Sequence, residues 1–230
     1  MSVSLDAAGF VVAGGQSSRM GTEKALIRLA GEPLVAHAVR ILRQAGLTVQ
    51  IAGARSPLHD FAPVVMDSEP DRGPLGGICA ALAASSAKRV VFIPVDMPLL
   101  PASLLAFLLE EAQGEKVVVT VPAMGGFAQT FPAVIDRAAQ PWLCAALESG
   151  HRGCFSAYQA AAAGLKLAVK IVPVEQAVKD GRLARIEALP VESWFLNVNE
   201  PADLARAEVC LAGLRARPEL RVLRLSGRTR

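Results

Sequence analysis

The sequence predicts a three-layer α/β fold, a mostly parallel sheet with helices on both faces, and three observations carry that prediction. Short Val/Ile-rich runs alternate with stretches of helical periodicity, the pattern of strand–helix–strand units. The run Arg89–Val95 is too apolar to have a wet face, as a strand covered on both sides must be. The first run, Gly9–Val12, passes directly into Ala13-Gly14-Gly15, a strand followed by a glycine-rich turn.

Taken in order, Gly9–Val12 is the first strand. A helix starts near Pro33, with Leu34, Val35, Ala38, Val39, Leu42 and Ala45 at helical spacing. Proline in its first turn and Gly46 just past its end are start and stop signals. Thr48–Ala52 and Pro63–Met66 read as strands, and Pro74–Ala84 as an alanine-rich helix. Arg89–Val95 is a strand, Pro101–Glu111 a helix and Lys116–Val121 a strand. The second half is less regular. Asp136–Ser149 and Gly153–Ala163 read as helices, Ala168–Val172 as extended, and Ser193–Val198 as a strand entering a helix at Pro201–Leu211. No internal repeat or long linker interrupts the chain, so residues 1–212 are expected to form one domain.

Hydrophobic residues make up 52% of the 230 and charged residues 20%, enough to bury a substantial core and to exclude global disorder. Aromatics are only 5%, so that core is mainly aliphatic. No apolar run approaches the roughly eighteen residues of a membrane span, and the first residues lack the basic-then-apolar pattern of a secretion signal. A cytoplasmic protein is expected. Cys79, Cys144, Cys154 and Cys210 are widely spaced, without CxxC or His/Cys pairing, and read as reduced, mostly buried thiols. The net charge of +3 is uneven. Residues 213–230 hold six arginines and one acid, a contribution of +5 that leaves −2 for the rest. Nucleic-acid binding by the body of the protein is not indicated. The Arg-rich C-terminal extension reads as a solvated tail or as a contact for anionic partners.

Residues 13–24, Ala-Gly-Gly-Gln-Ser-Ser-Arg-Met-Gly-Thr-Glu-Lys, are the most informative stretch. A buried strand running into glycines leaves backbone N–H groups uncovered, a cradle for phosphate oxygens. Arg19 adds a forked cation and Lys24 a compact one. Gly15 and Gly21 are separated by five residues, one too many for a Walker loop. Gly14, Gly15 and Gly21 do not fit the dinucleotide fingerprint either. Asp96 follows the strand Val90–Val95 and lies at the carboxyl edge, where open α/β sheets bind ligands. Beside a polyphosphate it is a natural Mg²⁺ anchor; alone it reads equally as a helix N-cap before Pro98. Asn197 and Asn199 alternate on a segment expected to be extended, which puts both amides on one face. They read as ligands of a polar ring edge, as part of a metal shell, or as caps of the next helix. Asn199 suffices for capping, so Asn197 is the stronger functional candidate.

Together these residues resemble the molybdenum cofactor guanylyltransferases, the MobA-like branch of the nucleotidyltransferases. Four motifs carry the resemblance in order: Val12–Lys24; Asp67 through Gly73-Pro74-Leu75-Gly76-Gly77; Val95-Asp96-Met97-Pro98; and Phe195–Leu204. It covers about residues 8–212. Glu23 stands where the family has Asp. Ala54 before Arg55 replaces an Asn that helps hold the base, and Gln129–Val134 departs from a Pro-Leu-Phe-Ala segment on the acceptor side.

The resemblance implies the three-layer Rossmann-like architecture of nucleotide-diphospho-sugar transferases. It also implies transfer of GMP from GTP to the terminal phosphate of molybdopterin, with Mg²⁺ and release of pyrophosphate. By the same resemblance, Val12, Ala13, Gly14, Gly15, Ser17, Arg19, Lys24, Asp67 and Asp96 are nucleotide-binding positions. Arg19, Lys24 and Asp96 are the catalytic ones, Asp96 holds the metal, and Asn197 and Asn199 face the acceptor. Implied partners are GTP, molybdopterin or its molybdenum form, molybdenum-insertion proteins and target apoenzymes. The alternatives are a molybdopterin cytidylyltransferase, another small-molecule phosphate nucleotidylyltransferase, and a catalytically weak nucleotide-binding protein. Gly14-Gly15 and Gly73-Pro74-Leu75 favour guanine.

Overall fold

The computed structural model describes residues 6–13, 23–53, 58–67, 72–151, 153–186 and 189–215. In chain order its strands are β1 (Ala7–Val12), β2 (Arg28–Leu29), β3 (Glu32–Pro33), β4 (Thr48–Ala52), β5 (Val64–Val65), β6 (Arg89–Pro94), β7 (Val117–Met124), β8 (Phe127–Ala128), β9 (Ala133–Asp136) and β10 (Ala168–Pro173). Its helices are α1 (Leu34–Gln44), α2 (Gly73–Ala84), α3 (Ala102–Glu111), α4 (Gln140–Glu148), α5 (Cys154–Leu165), α6 (Val174–Lys179) and α7 (Pro201–Arg215). The expected boundary at residue 212 falls inside α7.

The main sheet runs β10-β7-β9-β6-β1-β4-β5, with β8 paired to β7. β1 is parallel to both β4 and β6, and β10 is parallel to β7. β9 is antiparallel to both of its neighbours. The central strands are apolar on both faces because both faces are covered: Val90, Val91, Phe92 and Ile93 are fully buried. Phe10 and Phe92, opposite each other in register, stack with ring centroids 5.9 Å apart. α1 packs with α3, while α2 packs with α4 and α4 with α5, giving two helical layers around the sheet. α1 begins after Pro33, turns Leu34, Val35, Ala38, Leu42 and their neighbours inward, and ends before Gly46 at φ +79°, the left-handed stop that glycine supplies at least cost.

The chain moves from β1 to β4 and β5 on one side, then returns across β1 to β6 on the other. That reversal opens a crevice at the carboxyl ends of β1 and β6. Two ladder bonds continue past the strand ends there, Ala13 N–H to the Ala52 carbonyl at 3.0 Å and Val95 N–H to the Val12 carbonyl at 3.1 Å.

Two expected elements differ. Residues 193–198 are not a strand: Val191–Phe195 is a 3-10 turn that buries Trp194 completely, with its indole N–H on the Leu189 carbonyl at 3.3 Å. The alternation of Trp194, Leu196 and Val198 mimics a strand, but one large ring needing a pocket and a hydrogen-bond partner decides the backbone instead. The helix expected from Asp136 begins later. Ala133–Asp136 is the antiparallel β9, a short apolar run whose period does not separate strand from helix. Asp136 then caps the turn that leads into α4, accepting from Ala138 N–H at 2.9 Å.

Asp136 also faces Arg89 across the β6–β9 pair, and the two form an ion pair with side chains 13% and 17% exposed. Arg89 donates as well to the Ala112 carbonyl at 3.0 Å and 3.2 Å, tying the sheet to the end of α3. Asp136→Ala leaves this half-buried guanidinium without its counter-charge and the turn without its cap. We expect a loss of about 2–3 kcal/mol after allowance for solvent screening, read as a lower urea midpoint with an unchanged slope.

Candidate active site

Three oxygen- and nitrogen-bearing side chains converge at the carboxyl edge. Lys24 opens a single 3-10 turn, Lys24–Leu26, whose Ala25 is buried and anchors it to the core. Its Nζ lies 2.6 Å from Asp96 Oδ2 and 2.6 Å from Asn199 Oδ1. The Lys24 and Asp96 side chains are 18% and 20% exposed, so the pair is largely shielded yet open to a ligand. Asp96 stands two residues past the end of β6. Its carbonyl accepts from Val198 N–H at 2.9 Å, and that one backbone bond brings Asn199 to the site.

Asn199 does not cap α7. The Asp203 carboxylate reaches back to do so, accepting from Asn199 N–H at 3.0 Å and Glu200 N–H at 3.2 Å. The Asn199 amide is thereby available to Lys24, whereas the Asn197 amide turns to the Phe195 carbonyl of its own segment at 3.4 Å. Of the two asparagines, Asn199 is the one whose amide oxygen meets Lys24. The signal was present in the sequence: an acid three residues after Glu200 reads as a capping pattern, which relieves Asn199 of that duty.

Asp67 lies apart from this cluster, just past β5, two strands from β1. Its carboxylate rests on the first turn of α2. A Cβ added at Gly76 would stand 2.8 Å from Asp67 Oδ2 and 2.8 Å from Arg72 Cβ, so only glycine permits this approach. Burial pushes the Asp67 carboxyl above its ordinary value, and the nearby Arg72 charge partly opposes the shift. Val12 and Ala13 are at the crevice floor. Gly14, Gly15, Ser17, Arg19, Ala54 and Arg55 lie outside the described residues.

Asp96 Oδ2 and Asn199 Oδ1 are hard oxygen donors that already share one cation, the Lys24 ammonium. One or two protein oxygens, completed by phosphate and water, are what Mg²⁺ requires, so the donor set fits a divalent cation. Among the described residues no group of three or more His, Cys, Asp and Glu side chains is placed to hold a metal ion, and no helix is long and apolar enough to cross a membrane. Of the thiols, Cys79 and Cys154 are buried and Cys144 and Cys210 half-buried; burial pushes Cys154 up to about 12. Cys79 and Cys154 are buried packing groups.

A parallel sheet that reverses at β1, with a lysine, an aspartate and an asparagine meeting at its carboxyl edge, defines a nucleotide-handling α/β enzyme. Residues 9–167 match the MobA-like NTP transferase domain, and the chain belongs to that family of nucleotidyltransferases. A molybdenum cofactor guanylyltransferase of Xanthomonas euvesicatoria is 45% identical over 106 residues, 46% of this chain and 54% of that protein. Another, of Vibrio cholerae, is 31% identical over 205 residues, 87% of this chain and 91% of its own length. The crystal structure of molybdopterin-guanine dinucleotide biosynthesis protein A from Archaeoglobus fulgidus superposes with a TM-score of 0.70 at 23% identity, covering 89% of this chain and 98% of that one.

The Asp67 shift has a consequence for stability. A carboxyl whose folded pKa is raised binds protons more tightly folded than unfolded, so its contribution is fully present below the ordinary value of 3.8 and is lost as pH rises through the raised value. Asp67→Asn removes that loss. The thermal midpoint of the variant minus that of the wild type is expected to grow from pH 3.5 towards pH 7 and then level off. Parallel scans at several pH values check it, and a difference that shrinks with rising pH contradicts the assignment.

Proposed function

We propose that the protein transfers GMP from GTP to the terminal phosphate of molybdopterin and releases pyrophosphate. The observation that carries this reading is the meeting of Lys24, Asp96 and Asn199 at the carboxyl edge of the sheet. The names of the relatives point to the guanylyl donor and the molybdopterin acceptor.

In the proposed reaction an oxygen of the acceptor phosphate forms a bond to the α-phosphorus of GTP, and the bond from that phosphorus to the β-phosphate bridging oxygen breaks. The attacking oxygen is already anionic, so no proton need be removed. The histidines accord with this: His37 is buried on the Leu29 carbonyl at 2.9 Å, His59 pairs with Asp60 at 3.3 Å, and His151 contacts Ser149 at 3.3 Å. Positioning and charge neutralisation are left as the main contributions. Lys24 meets the α-phosphate, Arg19 the leaving pyrophosphate, the Ala13–Gly15 backbone the base and phosphates, and Asp67 the nucleoside. Asp96 and Asn199 would hold Mg²⁺, which when bound offsets negative charge gathering on the phosphate oxygens. Asn197 and Asn199 are assigned to the acceptor side, and the Arg-rich extension to contacts outside the site.

Lys24→Ala should lower turnover by about a hundredfold or more, a few kcal/mol of transition-state stabilisation, with the fold retained. Asp96→Asn should nearly abolish turnover while nucleotide still binds. Pyrophosphate release and nucleotide binding measured on one preparation check both, and turnover within threefold of wild type removes either residue from the mechanism.

Base choice is separately testable. Gly14-Gly15 allows a large purine to approach the backbone, whereas Ala54 lacks an amide worth about 0.5–1.5 kcal/mol net. GTP should therefore raise the thermal midpoint more than CTP at equal concentration with Mg²⁺. Ala54→Asn should tighten GTP binding by up to about tenfold. Greater stabilisation by CTP than by GTP would replace this reading with a cytidylyltransferase.

A further inference from the structure

Phe127 is the most exposed large apolar side chain of the described residues, at 76%, and its position in the sheet is not accidental. It belongs to the β7–β8 hairpin, where Met124 pairs with Phe127 across a two-residue turn, Gly125-Gly126, with φ +59° and +81°. Positive φ at both central positions is the tight primed turn that glycine accommodates. The backbone around the ring is pinned at several points. Gly125 N–H donates to both Glu175 carboxylate oxygens at 3.1 and 3.2 Å, Gln129 N–H donates to the Pro122 carbonyl at 2.8 Å, and the Gln129 side-chain amide donates to the Phe127 carbonyl at 3.1 Å. The hairpin thus holds an aromatic ring in solvent on a fixed backbone.

Register locates that ring relative to the site. Through β9, Thr120 of β7 stands level with Val91 of β6, since both pair with Val134. Counting along both strands, Gly125 stands level with Asp96, two strand spacings away, about 10 Å. β9 begins at Ala133, opposite Phe92, and so stops short of that level. Above it β8 takes that place beside β7, since Ala123 pairs with Pro173 of β10 on one side and with Ala128 of β8 on the other; Phe127, level with Met124 and so with Val95, stands one strand spacing, about 5 Å, from the extension of β6. On the other side of Asp96 are the end of β1 and Asp67, positions assigned to the nucleotide. The β6–β7 side is what remains for the acceptor.

We propose that Phe127 is the platform on which the fused-ring heterocycle of the acceptor stacks, orienting its phosphate toward Lys24 and Asp96. This rests on the function proposed above and adds to it the residue that recognises the acceptor's ring. An aromatic face suits a flat heterocycle, and a preformed hairpin keeps the ordering cost of binding low. Phe127 forms no bond and moves no proton; it is a positioning residue for the acceptor alone.

The test is steady-state GMP transfer from GTP to molybdopterin by the full chain. Phe127→Ala should raise KM for molybdopterin about three- to tenfold and leave KM for GTP and the thermal midpoint unchanged. Phe127→Tyr should restore the wild-type value, and Phe127→Leu, apolar but without a ring face, should behave like Phe127→Ala. An unchanged molybdopterin KM in Phe127→Ala, equal shifts in both KM values, or full activity in Phe127→Leu each overturns the inference. A wild-type protein that transfers no GMP to molybdopterin overturns the proposed function itself, before any variant is compared.

Discussion

The Lys24 ammonium, held between the Asp96 carboxylate and the Asn199 carbonyl oxygen, is the constraint around which the rest of the site is arranged. The two oxygens come from segments 72 and 175 residues further along the chain. Each accepts from the same nitrogen at 2.6 Å, so one ammonium holds both. Hydrogen bonds of this charged kind are worth about 1.5–3 kcal/mol net when shielded, ample to fix three side chains but small enough to exchange. A site that must admit a polyphosphate and release pyrophosphate needs partners it can trade.

Nothing local to Lys24 produces that meeting. The sheet supplies Asp96, because β6 lies beside β1 and both end at one level. A single backbone bond, Val198 to Asp96, supplies Asn199, and the Asp203 cap leaves its amide unclaimed. The antiparallel β9 knits β6 to β7 below, and above it β8, paired to β7, takes the same column up to the edge. The Arg89–Asp136 pair closes the lower end of the same strands. One end of the sheet is fastened by ion pairing and the other is kept for ligands.

Much of this was legible in the chain. Runs buried on both faces, such as Val90–Ile93, can only be central strands, and Pro33 with Gly46 frames α1 by local chemistry. That Asp96 would lie near the loop carrying Lys24 was legible because the ends of neighbouring parallel strands share one edge. What escaped depended on distant contacts. Trp194 overrides the strand-like alternation around it by seeking its own pocket, and β9 owes its identity to two partner strands rather than to four apolar residues. Asn197 and Asn199 are indistinguishable by type and spacing, and Asp203, on the next helix, tells them apart. Phe127 carries no sequence signal of its own, since only the register of β7 against β6 places it opposite Asp96.

The two acids at the carboxyl edge show how environment divides labour between identical side chains. Asp96 is paired within the protein with Lys24. Asp67 is half-buried against the α2 turn, where the absent Cβ of Gly76 lets the helix crowd it, and burial opposes its ionisation more than Arg72 assists. A desolvated carboxylate accepts hydrogen bonds and donates none. Its cost is relieved by a ligand that arrives with donors, and a nucleoside, with its ribose hydroxyls and base N–H groups, is such a ligand, whereas pyrophosphate is not. In the proposed reaction Asp67 would therefore favour the intact nucleotide over the leaving group, while Lys24 and Arg19 would attract phosphate of either kind. On this assignment cations draw the substrate in, and the strained acid on the opposite side of β1 decides which end of it stays.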